Sequence, residues 1–476
     1  MKKRNKLLLT LLGTTLFSLA GCNQSGGDKR ILKIEFVKGG FGLTPYEKLA
    51  EAFMAENKDI EVKLFPNPEM ASTTSSKLTD GTNLSDVMIY NRSVNNIYAW
   101  AKKGYIYDLT SLMNEEVENG QTILDKMDDN AKKVAEYDSS YWCLPEYYNI
   151  NGFVYNSTLF EKNGWDVPKT TKEFDSLCKK IEKVELAGKP VKPLIYCGNG
   201  ADGYLYYAID GWMTSYEGTS NMDKFYSFES SEVFNPSNSK GKNYGMSLLK
   251  KYFYDSGYAY ENSMSMGAIE CQSKLLTYEA AMMLNGSWFE NEMKPYTTPN
   301  SPTFKMFAVP EVSDDSNNVL HNEGYQTNES NQQVVNAEFV ANMFIPAKAE
   351  NKEDAVKFLK FISKNSSLEL YTKYSNAIRP MKYDYSPSNP SYSDMSAFGK
   401  SILELASTHN LYVPISKAPI AVAGKATLYP QGGYWSKLIY SNPGKYTPSF
   451  CIQSDYEYAK NSWNDWVNYA KEELGE

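Results

Sequence analysis

Two hydrophobic periods take turns along residues 31–64, and this constrains the fold more than any other feature of the chain. Leu32, Ile34 and Phe36 alternate with Lys33 and Glu35, the period-two pattern of a strand. Thr44-Pro45-Tyr46-Glu47 then offers an N-cap, a proline at the first helical position and a capping-box Glu. Tyr46, Leu49, Ala50, Phe53 and Met54 follow at helical spacing, and Ile60, Val62 and Leu64 alternate again. A strand–helix–strand unit of this kind joins parallel strands. The pattern recurs. Ser85 to Tyr90 is a short strand, and Val94, Ile97, Tyr98 and Ala101 mark a helix stopped by Gly104. Gly152 to Tyr155 is apolar enough for a buried strand. Thr170 and Glu173 frame a capping box ahead of Phe174, Leu177, Cys178 and Ile181, and Asn351 caps a helix bearing Ala355, Phe358, Leu359 and Ile362. The polar stretches Ser230 to Lys242 and Val312 to Gln333 read as loops or lobe crossings. Alternation over this length predicts α/β lobes with parallel-rich sheets. Ligands of such lobes sit beyond the carboxyl ends of strands, where Lys38 to Phe41, Tyr90 to Arg92 and Cys197 to Tyr204 fall.

The N-terminus carries an address. Lys2, Lys3, Arg4 and Lys6 precede an apolar segment, Leu7 to Leu19, that is too short to span a bilayer. It ends in Leu19-Ala20-Gly21-Cys22, which resembles a bacterial lipobox. In that signal the cysteine is lipidated and residues 1–21 are removed, so Cys22 becomes the new N-terminus. Asn23 to Arg30, rich in Ser, Gly and Asp, reads as a flexible tether. About 455 residues remain, more than one core usually organises, which predicts two lobes.

Loss of the leader takes four of 49 basic residues and none of 57 acidic ones, moving the net charge from −8 to −12. An acidic body argues against nucleic acid and against docking on anionic lipid. Three arginines remain, Arg30, Arg92 and Arg379, which disfavours a highly anionic ligand because such groups call for the bidentate Arg fork. Aromatics make up 14% of the chain and tyrosine dominates them with 37 residues, a residue suited to ligands half apolar and half polar. No cysteine pair has metal-ligand spacing; one or two disulfides among Cys143, Cys178, Cys197, Cys271 and Cys451 are compatible with export but unassigned, and Cys178 reads as core.

Catalytic signatures are wanting. Gly198-Asn199-Gly200-Ala201-Asp202-Gly203 has dinucleotide-loop spacing, but no acid-terminated strand follows it, so the glycines read as letting backbone approach some ligand closely. His321 and His409 lie in polar, unpatterned stretches, and no nucleophile-elbow, zinc-protease or phosphate-loop motif occurs. Neither a metal nor a cofactor is expected.

Several segments together are similar to the extracellular solute-binding proteins of carbohydrate ABC importers, the family of maltose-binding protein. They are the opening unit through Glu56 to Val62; Ser85-Asp86-Val87 with Trp100 to Gly104 and Asp108-Leu109-Thr110; Tyr141 to Pro145 with Val154-Tyr155-Asn156; Ala280 to Trp288; and Ile345 to Lys352 with Ala355, Phe358 and Leu359. The likeness spreads over residues 31–380 and loosens from Met381 to Glu476. It implies a periplasmic-binding-protein-like architecture, two α/β lobes joined by hinge strands with a ligand in the cleft between them. The segments then divide into lobe one at 31–147, lobe two at 148–311, a return to lobe one at 312–378 and a return to lobe two at 379–476. A hinge falls near Pro145 to Ile150.

The implied ligand is a neutral oligosaccharide, whose apolar ring faces suit aromatic side chains and whose hydroxyls suit planar amides and carboxylates. Trp288, in the family's Gly-x-Trp signature, and Tyr90, at a strand end, are the stacking candidates, with Tyr204 and Trp435 behind them. Asn91, Arg92, Asn149 and Asp202 are the hydrogen-bonding candidates. The implied partners are the membrane subunits of an ABC permease, beside which a monomer sits on the outer face of the cytoplasmic membrane, held by the lipid on Cys22. The alternatives are an anchored glycoside hydrolase, which needs two positioned carboxylates, and a binding protein of the same fold for a non-sugar solute.

Overall fold

The computed structural model describes residues 29–475 apart from 315, 317, 323–332 and 432–434. Cys22, the leader and the tether up to residue 28 lie outside the described residues. The opening alternation becomes strand β1 (Arg30–Phe36), helix α1 (Thr44–Glu56) and strand β2 (Ile60–Pro66), and β1 and β2 pair in parallel from Arg30↔Ile60 to Phe36↔Pro66. Helix α1 is capped differently from expectation. Thr44 is already helical, and the Leu43 carbonyl accepts the N–H groups of Tyr46 and Glu47 at 3.0 and 3.1 Å. Strand β3 (Val87–Asn91) and helix α2 (Asn95–Lys102) follow. Gly104, at φ 68°, ends α2 in the left-handed conformation that glycine adopts without cost, and Tyr105 N–H donates back to Trp100 C=O at 2.9 Å.

Strand β4 (Leu144–Pro145) precedes β5 (Asn149–Asn156), all eight residues of which are buried. The capping box of helix α3 (Thr171–Ile181) forms as read: the Thr170 hydroxyl accepts Glu173 N–H at 3.3 Å, and the Glu173 carboxylate accepts Thr170 N–H at 3.2 Å. Cys178 is fully buried on its inner face. Next come β6 (Lys192–Ile195), α4 (Tyr204–Glu217), α5 (Lys240–Leu249), α6 (Ala268–Leu276), β7 (Ala280–Gly286), α7 (Phe289–Met293), β8 (Phe304–Phe307), β9 (Val334–Glu338) and β10 (Ala341–Phe344). The chain ends with α8 (Lys352–Ile362), α9 (Asn365–Ser375), α10 (Ala397–Thr408), β11 (Asn410–Tyr412) and α11 (Pro448–Leu474). Asn351 occupies the cap position of α8 but does not cap it with its side chain. Its Nδ2 donates to Ile31 C=O at 3.0 Å and its N–H to Asp86 at 2.8 Å, tying the helix to the sheet.

The strands form two main sheets. The first has the order β2-β1-β3-β10-β4, with β1, β2 and β3 parallel and β10 antiparallel to β3 and β4. The second is mixed. Its order is β6-β7-β5-β9-β11, with β8 also on β5; β6–β7 and β9–β11 are parallel, while β7, β8 and β9 run antiparallel to β5. This is the two-lobed α/β architecture expected. The chain leaves the first sheet after Pro145 and enters the second at Asn149. It comes back between Glu338, paired with Asn149, and Ala341, paired with Asn91. Since β9 belongs to the second sheet, the return to the first falls at residue 341 and not at 312. The Ser230 to Lys242 stretch stays inside the second lobe as a short 3-10 turn, Ser231–Phe234, and the start of α5; Phe234 packs on Phe225 and Phe228. The C-terminal helices also join this lobe. Ser401 of α10 accepts Met306 N–H of β8 at 3.0 Å, and Tyr456, Ala459, Trp466 and Ala470 of α11 bury against Met213, Met222 and Phe225.

Candidate functional site

Because the crossings run side by side, they form the floor of a cleft between the sheets. Glu146, Tyr147 and Asn149 come from the first crossing, and Val340 and Ala341 from the second. One wall is the carboxyl edge of the first sheet: the Val37 to Gly42 loop after β1, Asn91 and Arg92 at the end of β3, and Tyr46 of α1. The other wall is Tyr204 and Tyr207, one turn apart on α4, with Trp288 at the start of α7 and Glu292 within it. The cleft offers about 410 Å³ and is open to solvent, within the ~300–1,000 Å³ usual for ligand clefts.

Trp288 is half-buried, and bare backbone makes room for it on both sides. A Cβ at Gly286 would lie 1.8 Å from its Cζ3, and one at Gly40 would lie 2.8 Å from its Cδ1. Glycine is therefore needed on each lobe for the indole to sit where it does. The ring centroid of Tyr204 is 5.6 Å away at 59°, and Tyr204 stacks on Tyr207 at 5.5 Å and 19°. Across the cleft Phe41 meets Tyr147 edge-on at 4.8 Å. Burial pushes the Tyr204 hydroxyl up to about 12, so it is a neutral donor and acceptor at any physiological pH.

Polar groups are interleaved with these rings. Asn149 donates to Glu338 at 3.3 Å, and its Oδ1 is buried with no partner. Glu146 is fully buried and accepts the Tyr46 hydroxyl at 3.3 Å. Burial raises its carboxyl to about 7 even though the Arg379 charge opposes the rise; the Arg379 guanidinium lies 4.2 Å from the Tyr371 ring centre. The Glu292 carboxylate accepts Gln272 Nε2 at 2.7 Å, and exposed Arg92 donates to Asn91 C=O at 2.8 Å. Behind Tyr207 lies a small chamber of about 30 Å³, room for little more than a water, lined by Asn151, Asp210 and Glu338. Burial lifts Asp210 to about 7 there, although it accepts the Tyr429 hydroxyl at 2.6 Å.

Five of the eight binding residues expected from sequence line the cleft: Asn91, Arg92, Asn149, Tyr204 and Trp288. Three do not. Tyr90 is buried on the opposite face of β3, edge-on to Trp100 at 4.8 Å, with its hydroxyl accepting Asn96 Nδ2 at 2.9 Å. Strand pleating sends its neighbours Ile89 and Asn91 into the cleft and Tyr90 away from it. Trp435 is a core residue whose Nε1 donates to Asp455 at 3.1 Å, and Asp202 pairs with Lys437 at 3.1 Å outside the cleft. The glycine motif also works differently from expectation. Gly198 lets the chain's own backbone approach, since a Cβ there would meet Met264 Cα at 2.3 Å, and its N–H donates to Ser263 C=O at 3.0 Å. The segment Lys38 to Phe41, expected at a ligand-facing strand end, does line the cleft, through Gly39, Gly40 and Phe41. Sequence reasoning missed Tyr46, Glu146, Tyr147, Tyr207 and Glu292; of these, Tyr207 carried a local signal, its place one turn after Tyr204.

Aromatic faces alternating with amides, carboxyls and one guanidinium form a surface for binding. Neither His321 nor His409 lines the cleft, and among the described residues no group of three or more His, Cys, Asp or Glu is placed to hold a metal.

The family model described as bacterial extracellular solute-binding protein matches residues 42–367. No curated protein matches the chain significantly. Among solved structures, the apo form of RafE from Streptococcus pneumoniae is 18% identical, with a TM-score of 0.67 over 92% of this chain and 100% of its own. SBP RafE in complex with raffinose is 18% identical, with a TM-score of 0.65 over 90% of this chain and 99% of its own. The GacH receptor of Streptomyces glaucescens, solved unliganded and with acarbose, is 17% identical, with a TM-score of 0.63 over 92% and 99%.

Proposed function

The chain belongs to the bacterial extracellular solute-binding proteins, which bind rather than transform their ligands, and on that premise we propose that its cleft captures a neutral oligosaccharide for delivery to an ABC permease. The observation that carries the sugar reading is the cleft lining. Trp288, Tyr204, Tyr207, Tyr147 and Phe41 offer ring faces for the apolar sides of sugar rings, and Asn91, Arg92 and Asn149 offer groups for the hydroxyls between them. A single cationic side chain in the lining gives a highly anionic ligand little to pair with. Structural relatives with raffinose and acarbose support the same class.

In this reading the lobes close on the ligand about the crossings at Glu146 to Tyr148 and Phe339 to Val340. A lipid on Cys22 keeps the monomer on the outer face of the cytoplasmic membrane, close to the permease it feeds, where tethering raises the effective concentration. A thermal-shift panel of raffinose, acarbose, chitin oligosaccharides and xylo-oligosaccharides tests the ligand class. At a hundredfold excess over Kd, binding stabilises the fold by ~2.7 kcal/mol. The sugar assignment fails if no member of a broad glycan panel shifts the melting temperature while a non-sugar solute does.

A further inference from the structure

Two thiols that sequence could not pair are brought together in the second lobe. Cys197 lies two residues after β6 and opens the Gly198 to Gly203 loop that leads into Tyr204. Cys271 lies on α6, and its sulfur donates to the carbonyl of Tyr196, the residue preceding Cys197, at 3.3 Å. The Cys197 sulfur contacts the C=O of Met266, two residues before α6, at 3.4 Å and Asn199 C=O at 3.3 Å. Backbone bonds hold the approach, Gly198 N–H to Ser263 C=O at 3.0 Å and Asn199 N–H to Met266 C=O at 3.1 Å. The other described cysteines stand apart from this pair: Cys143 beside Asn342 in the first lobe, Cys178 on α3 and Cys451 on α11.

We propose that Cys197 and Cys271 form a reversible disulfide that ties the Tyr204 loop to α6, and that outside the cell a low-molecular-weight disulfide or a thiol oxidase supplies the oxidation. With glutathione disulfide as oxidant, the Cys197 thiolate attacks one of its sulfurs, forming a mixed disulfide and expelling one glutathione thiolate. Cys271 then gives up its proton and its sulfur attacks the Cys197 sulfur, expelling the second. Two cysteine sulfurs are oxidised by two electrons, and one glutathione disulfide is reduced to two glutathiones. The two thiols are coupled, Cys197 held below the usual thiol range and Cys271 pushed above it, so Cys197 is the sulfur that gives up its proton first. Both are buried, so the exchange takes place as the chain folds or opens locally. Extracellular proteins are where such bonds persist. Because the loop carries one wall of the cleft, the bond fixes Tyr204 relative to the sheet.

The test is intact-mass and non-reducing peptide mapping of the purified protein, native and after unfolding and refolding in glutathione disulfide. The refolded arm removes burial as a barrier. The expected result is a loss of two hydrogens, a single linked peptide pair containing Cys197 and Cys271, reversal by dithiothreitol, and a melting temperature a few degrees higher when oxidised. Cys197→Ser and Cys271→Ser should each abolish the link and the shift. Refolded protein that carries only glutathione adducts, stays fully reduced, or links other cysteines overturns the proposal.

Discussion

Trp288 is where the proposed function meets the geometry of the cleft most directly, and two substitutions separate its roles. Trp288→Ala deletes the ring. Gly286→Ala keeps it but places a Cβ 1.8 Å from Cζ3 and 2.2 Å from Cη2, so the indole must swing out of its seat across the cleft. If the ring stacks on a sugar, either change removes one stacking face. Taking aromatic–base stacking as a rough analogue, this costs ~1–3 kcal/mol, or about a 5- to 150-fold rise in Kd. Truncating a fully buried Trp costs ~3–5 kcal/mol. Trp288 is half-buried, so about half of that, ~2 kcal/mol of stability, is expected from the packing it loses. Calorimetric titration with the glycan found by thermal shift, beside urea denaturation of each variant, measures both quantities. Gly286→Ala should also change tryptophan fluorescence, because the ring leaves its contact with Tyr204. An unchanged Kd in both variants, together with a full core-sized loss of stability in Trp288→Ala, would show that the ring is packing and not a binding surface.

Glu146 gives a pH test. Its folded value, raised by burial to about 7, lies above that of an unfolded Glu, so its contribution is present below about 4.5 and is lost as pH rises through 7, an effect of about 3 kcal/mol. Denaturation at pH 5 and pH 8 should therefore show a smaller fall for Glu146→Gln than for the native chain, and equal falls would sink the assignment. Lobe closure about Glu146 to Tyr148 should reduce the radius of gyration in small-angle scattering at saturating glycan; an unchanged radius counts against it. Cys22→Ser should release the protein from the membrane fraction with its glycan affinity intact, and native protein that already fractionates as free would defeat the anchoring proposal.

What the sequence determined by itself is local. The alternation of Leu32, Ile34 and Phe36, the spacing of Leu49, Ala50 and Phe53, the Thr170–Glu173 box and the stop at Gly104 all appear in the structure, because each depends on hydrogen bonds and burial within a few residues. The α/β class followed from the order of those elements, and the expectation of two lobes from a chain longer than one core organises. Tertiary structure alone decided the cleft. Its floor is built from Glu146, Tyr147, Asn149, Val340 and Ala341, which meet only because β9 pairs with β5 and β10 with β3. Whether Tyr90 or Asn91 faces it depends on which side of β3 the helices cover, and that is set by the packing of Trp100 and Phe344 on one face. Trp435, polar-flanked in sequence, is buried because α11 brings Asp455 to its indole. The contact between Cys197 and Cys271 likewise exists only once α6 packs beside β6 and its loop. Side-chain period and capping are written locally, whereas a site between lobes is assembled from segments far apart in the chain, whose meeting is fixed by long-range strand pairing and burial.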